Sequence, residues 1–255
     1  GQENVNIVLS DSGIILEGPK DFYVSFRVRS QNHAEMLVSK GRPGIGTSFR
    51  LGHIVNENLD PRKSFVTSIM ATEDNTNITL SDYNPNVVFI TSTGFLNTPS
   101  QNFVLNAGES IIFSGYSDTI ENLDGAIGAL VYSDKPVAVN SGNALGGIEQ
   151  GRADFALDQI VSASQIGNEY IFIEGNGLST MELPLIVANE DNTEIFINGS
   201  ILPDVILNAG EYYLIDNFYY QGTINRNIYV RTSKKVYAYQ LLGGGNDTAT
   251  AGLNF

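Results

Sequence analysis

The chain carries one phrase twice. Ala71-Thr72-Glu73-Asp74-Asn75-Thr76 returns as Ala188-Asn189-Glu190-Asp191-Asn192-Thr193. A second phrase follows each copy, Leu105-Asn106-Ala107-Gly108-Glu109 and Leu207-Asn208-Ala209-Gly210-Glu211. The match runs on: SFVTSIMATEDNTNITL (64–80) lies over MELPLIVANEDNTEIFI (181–197), and SDKPVAVNSGNALGG (133–147) over TSKKVYAYQLLGGGN (232–246). A third echo, AEMLVSKGRPGIGTSF (34–49), repeats the order of strand, glycine-rich loop and phenylalanine found at 137–155 and 236–255. Duplication on this scale requires one supersecondary unit that folds twice, preceded by the tail of a unit without its front half.

The unit is made of strands. In Phe22-Tyr23-Val24-Ser25-Phe26-Arg27-Val28 the apolar residues fall at every second position, as a half-buried strand requires. The same alternation covers 64–71, 77–81, 86–91, 109–114, 126–132, 136–140, 169–174, 182–188, 194–198, 211–215, 226–231 and 235–241. Tyr, Phe, Val, Ile and Thr fill these runs, and Asn, Gly and Asp fill the gaps. No window carries a helical stripe. The expected fold is all-β: two pseudo-symmetric antiparallel β-sandwich lobes from an internal duplication. Residues 1–150 form the first lobe, with the N-terminal partial repeat, and 151–255 the second, in one compact unit.

Composition narrows the function. Fourteen Lys and Arg against 28 Asp and Glu give a net charge of −14, which repels phosphate backbones and anionic membranes and excludes nucleic acid as a partner. No apolar run approaches the roughly 18 residues that cross a bilayer, so no membrane insertion is expected. With no cysteine there is neither disulfide nor thiolate chemistry, and His33 and His53 are too few for a zinc centre. The terminal sequences Gly1-Gln2-Glu3 and Gly252-Leu253-Asn254-Phe255 read as the ends of a segment of a longer polypeptide.

Three candidate chemistries follow. The acidic turns suggest calcium, held by Glu73 with Asp74 and by Glu190 with Asp191. Each turn offers two carboxylates where calcium takes six to eight oxygens, so a β-turn is the preferred reading and no cofactor is required. Asp154 and Asp158, with Glu149 nearby, are a carboxylate pair of the type used in glycoside hydrolysis; solvated surface carboxylates are the competing account. Phe218, Tyr219 and Tyr220, beside Asn217 and Gln221, offer aromatic faces for stacking on a sugar or packing on a protein. The alternative is that Phe218 and one of the tyrosines close the end of the sandwich. Asp118-Thr119-Ile120 and Asp247-Thr248-Ala249 match a short O-glycosylation pattern.

A wider set of motifs resembles a known family. DFYVSFR (21–27), SKGRPGIGTSFRLG (39–52), SIMATEDNTNITL (68–80), VLNAGES (104–110), SDKPVAVNSGN (133–143) and DQIVSASQIGNEYIF (158–172) stand in the order and spacing of the N-terminal domain of IgG Fc-binding protein. Ser162 and Lys235 depart from that pattern at positions where proline is usual. The resemblance implies a non-catalytic extracellular adhesion or recognition module of a large secreted or cell-surface protein, common in Bacteroidota and associated with type IX secretion and gliding motility. It implies further domains in the same chain and an extracellular glycan or protein as ligand. A structural stalk and a glycan-active enzyme using Asp154 and Asp158 are the alternatives. No catalytic residues carry over.

Overall fold

A computed structural model describes residues 2–10, 12–30, 33–147, 153–175, 177, 182–243 and 251–254. The first half holds β1 (Val8–Leu9), β2 (Ser25–Ser30), β3 (His33–Val38), β4 (Ile45–Arg50), β5 (Asp60–Ala71), β6 (Thr76–Ser81), β7 (Phe89–Thr91), β8 (Gly94–Leu96), β9 (Gln101–Leu105), β10 (Ser110–Ser117) and β11 (Leu130–Gly146). The second holds β12 (Asp154–Gln159), β13 (Gly167–Ile173), β14 (Pro184–Ala188), β15 (Thr193–Ile197), β16 (Val205–Leu207), β17 (Tyr212–Leu214), β18 (Asn227–Gly243) and β19 (Ala251–Asn254). Among the described residues, helix is confined to 3-10 turns at Gln2–Asn4, Arg42–Gly44, Ile120–Asn122 and Asn217–Tyr219. The protein is all-β.

Two antiparallel sheets make two lobes. The first runs β1-β10-β5-β11-β6-β9, with β4 and β12 also paired to β11. The second runs β16-β15-β18-β14-β17, with β13 and β19 also paired to β18. Because β12 pairs with β11, the first sheet takes one strand from beyond residue 150. Each lobe is wound on one 17-residue strand, β11 or β18. The first half of that strand pairs with β4 and β6, or with β13 and β15. Its second half pairs with β5 and β12, or with β14 and β19.

The alternating pattern splits each of these strands in two, at 126–132 and 136–140 and again at 226–231 and 235–241. The structure joins the halves. What lies between them is a bulge: the β11 register with β4 shifts between Tyr132 and Val137, and Ser133 Oγ donates to the Lys135 carbonyl at 2.7 Å. In β18, Thr232 Oγ1 donates to the Lys234 carbonyl at 2.6 Å in the same way. Three extra residues on the long strand interrupt the period and increase the twist while the backbone stays extended. The register shift hands each long strand from one pair of neighbours to the next.

The cores follow from the alternation. In β14, Leu185 and Val187 face one side and Ile186 and Ala188 the other, and all four are fully buried. The first pair joins Phe49, Phe65, Ile69, Val131 and Val139 of the first sheet, with Tyr237, Tyr239 and Leu241 of β18, in a core that spans both lobes. The second pair joins Ile195, Ile215, Ile228 and Val230 in a core belonging to the second lobe alone. The lobes meet closely: Gly128 lies at φ 81°, and a Cβ there would stand 1.8 Å from the Gly210 carbonyl oxygen. Tyr239 Oη donates to the Arg50 carbonyl at 2.7 Å across the same joint.

Candidate functional site

The duplicated phrases form one device, built twice with the same bonds. Asn75 and Asn192 both sit at φ 53°, the left-handed region that Asn tolerates best after Gly. Asp74 Oδ1 accepts from the Ala107 N–H at 3.1 Å, and Asp191 Oδ1 from the Ala209 N–H at 3.0 Å. Glu109 and Glu211 each turn back to accept from the N–H of Asn106 and Asn208 at 2.7 Å. Thr76 Oγ1 donates to the Glu73 carbonyl and Thr193 Oγ1 to the Glu190 carbonyl, at 2.7 and 2.6 Å. Lys135 and Lys234 cap the carbonyls of Asp74 and Asp191 at 2.5 and 2.7 Å.

The two turns are thus clasped together, one side chain of each phrase serving the backbone of the other. Asp74 and Asp191 spend a carboxylate oxygen on this clasp, while Glu73 and Glu190 are exposed and enter it through their carbonyls. Among the described residues, no group of three or more His, Asp or Glu side chains is arranged to hold a metal ion.

Phe218, Tyr219 and Tyr220 are adjacent in sequence, but Tyr220 parts from the other two in space. Asp216 caps the 3-10 turn by accepting from the Phe218 N–H at 2.9 Å. Phe218 is 69% exposed and stacks on the half-buried Tyr219, ring centroids 4.2 Å apart. Tyr220 is 4% exposed; its ring lies in the second-lobe core and its hydroxyl donates to the Glu182 carbonyl at 2.9 Å. Burial, reinforced by the nearby Glu182 carboxylate, pushes its phenol up to about 12. Two of the three rings are therefore at the surface. A 3-10 turn also follows β10 in the first lobe, at Ile120–Asn122, where the inward residue is Asn122. The aromatic content, and not the turn, distinguishes the second copy.

The structure adds residues that the sequence did not single out. Asn198 Nδ2 donates to the Tyr219 carbonyl at 2.7 Å, tying the 198–204 loop to the aromatic turn. That loop exposes Ile201 and Leu202, and the 221–227 loop, closed by a Gln221–Asn227 bridge, exposes Ile224. Phe218, Ile201, Leu202 and Ile224 are thus large apolar side chains on tethered loops of one lobe. Aliphatic residues inside a Gly-Ser-x-x-Pro-Asp turn were the available signal.

Asp154 and Asp158 do not form an open catalytic pair. Both lie on the buried face of β12. Four residues along a strand separate them by roughly 13 Å, beyond the ~5–10 Å of glycosidase pairs. Their oxygens are committed to the edge of β3. Asp154 accepts from the Ala34 N–H and contacts His33 Nδ1, both at 3.2 Å. Asp158 accepts from the Val38 N–H at 3.4 Å and binds Lys40 Nζ at 2.7 Å. Burial, with the charges of Asp154 and Asp158 adding to it, raises the Glu35 carboxyl to about 7. Glu149 and Thr248 lie outside the described residues. Thr119 Oγ1 is buried, which removes it as a glycosylation acceptor.

An open groove of about 540 Å³ runs along the joint of the lobes. Asp82, Tyr83 and Asp124 line it from the first lobe and Glu211 and Tyr212 from the second. Tyr212 Oη donates to Asp124 Oδ2 at 2.5 Å, and buried Arg50 bonds Asp82 at 2.8 Å and the Gly128 carbonyl at 2.9 Å. Of its carboxylates, Asp124 joins the lobes through Tyr212, Asp82 is held by Arg50 within the first lobe, and Glu211 accepts from the Asn208 N–H within the second. No helix among the described residues is long and apolar enough to cross a membrane.

A family model described as IgGFc binding protein matches residues 34–255. No curated protein and no solved structure matches the chain.

Proposed function

The chain belongs to the IgGFc binding protein family, and from that premise we propose that it is a non-catalytic, extracellular recognition module whose ligand is a protein. The observation that carries this reading is the loop end of the second lobe. There Phe218, stacked on Tyr219, is presented with Ile201, Leu202 and Ile224 on loops held by Asp216 and Asn198. Exposed aromatic and aliphatic side chains on a rigid support are what a protein interface uses as anchors. An adhesive role, and service as one module of a longer surface protein, are parts of the same proposal.

The test is a binding panel with the IgG Fc fragment, other extracellular proteins and a glycan array, read by biolayer interferometry. Phe218→Ser combined with Leu202→Ser is expected to weaken binding of the protein ligand at least tenfold without moving Tm. Protein binding that survives both substitutions would overturn the assignment of the surface. Binding confined to glycans would overturn the ligand class.

A further inference from the structure

β2 is patterned like a core strand, yet among the described residues it belongs to no core. Its place in the repeat explains the pattern. The pairing of Ser25 with Val38 in the β2–β3 hairpin corresponds to that of Asn140 with Gln159 in β11–β12. Downstream, Gly46 of β4 pairs with Val137 as Gly167 of β13 pairs with Val236. β2 therefore stands where the second halves of β11 and β18 stand and β3 where β12 stands, which corrects the sequence echo that laid 34–49 over 137–155 and 236–255. Those two strands are covered on the edge away from their hairpin partner, β11 by β5 and β18 by β14.

Among the described residues, β2 pairs only with β3. Phe22 is 51% and Phe26 57% exposed, whereas their counterparts in β11, Val137 and Ser141, are buried. The N–H groups of Ala34 and Val38 face β12, where Asp154 and Asp158 receive them. By the alternation of an antiparallel ladder, the N–H and C=O groups of Ser25, Arg27 and Arg29 then point outward from the hairpin.

We propose that this edge is a strand-addition site, filled by an antiparallel segment of the type that β5 and β14 supply, donated by another repeat of the same kind. Main-chain pairing gives such a site its affinity, and alternate side chains give it its selectivity. The internal register specifies the fit. β14 pairs Ala188 with Val236 and Pro184 with Gln240. Transferred to β2, Ala188 falls opposite Phe22, Glu182 reaches the level of Arg27 and Arg29, and Glu190 stands opposite Lys20. The acidic flanks of the donor thus meet a locally basic edge on a chain of net charge −14.

The probe is a fluorescein-labelled peptide of residues 182–191 (ELPLIVANED), titrated into the full chain by anisotropy beside a scrambled peptide of equal composition. Saturable binding of the native peptide is expected, weakened at least tenfold by Arg27→Pro, which removes the outward N–H. Arg27→Glu keeps that N–H and is expected to weaken binding several-fold, less at high salt, so the test stands even if the proline variant does not fold. Equal binding of the scrambled peptide, no binding, or indifference to both variants overturns the proposal. A dimer of the chain alone that Arg27→Pro dissolves, read by sedimentation velocity, would support the proposal and place the donor repeat in a second copy.

Discussion

Asp74 and Asp191 show how a repeated sequence becomes a repeated structure. Each gives a carboxylate oxygen to the N–H of an alanine in the partner phrase, so its role is local and measurable. Asp191→Ala is expected to cost about 0.5–1.5 kcal/mol in urea unfolding, the range for one hydrogen bond. Asp74→Ala should cost the same, and the two should add because the sites are apart. Chelation of calcium should leave both values unchanged. His53 makes a different prediction. It is buried, stacks on Phe65 and donates from Nδ1 to the Ile54 carbonyl at 2.8 Å, while Nε2 finds no partner among the described residues. Burial lowers its pKa from 6.5 to about 4. The folded state thus binds the proton less tightly than the unfolded state. The contribution of neutral His53 is complete above about pH 6.5 and is lost as pH falls through about 4, at most about 3 kcal/mol. His53→Gln should flatten that part of the stability profile; an unchanged slope would place its origin elsewhere.

At the scale of elements, the β2–β3 hairpin rests on β12 through side-chain carboxylates instead of a strand ladder. Its Glu35 has the opposite sign to His53. Burial raises this carboxyl from 4.5 to about 7, so its contribution to docking is full below about pH 4.5 and is lost as pH rises through about 7. Hydrogen exchange of 25–38, corrected for intrinsic rates, should show weaker protection at pH 8 than at pH 5, and Glu35→Gln should abolish the difference. Protection that does not respond to pH would mean that the hairpin is held by other contacts. These elements also show what a sequence discloses. Strands with one buried face, such as β6 and the Phe65–Ala71 part of β5, were legible because burial imposes period two. β11 and β18 were not legible as single strands, because a bulge at Ser133–Pro136 or Thr232–Lys235 carries the same residue types as a turn. Phe218, Tyr219 and Tyr220 read alike, yet a 3-10 turn sends the first outward and the third into the core. The β2 segment misled in the other direction: its alternation promised a half-buried strand, and the structure leaves Phe22 and Phe26 largely in solvent, with little of the described chain packed on that face.

For the whole molecule, the duplication produces two lobes and one principal core. Leu185, Val187, Tyr237 and Tyr239 leave the second sheet to pack on the first, so residues of the second lobe close the interior of the first, while the second keeps a smaller core of its own. Tyr239→Phe removes the donor to the Arg50 carbonyl in the fully buried joint and is expected to cost about 1–3 kcal/mol, the penalty for a buried acceptor left unpaired. This shared burial predicts a scaffold that folds as one body with its loop ends free to differ, and the second copy differs by its aromatic residues. The most direct test of this account is native-state hydrogen exchange across a urea series, following amides of β11 and β18 together. One core predicts that both long strands open in a single global event with the same free energy and the same urea dependence, and that Tyr239→Phe lowers both equally. β18 opening at a lower free energy while β11 stays protected would show two independent domains and contradict it.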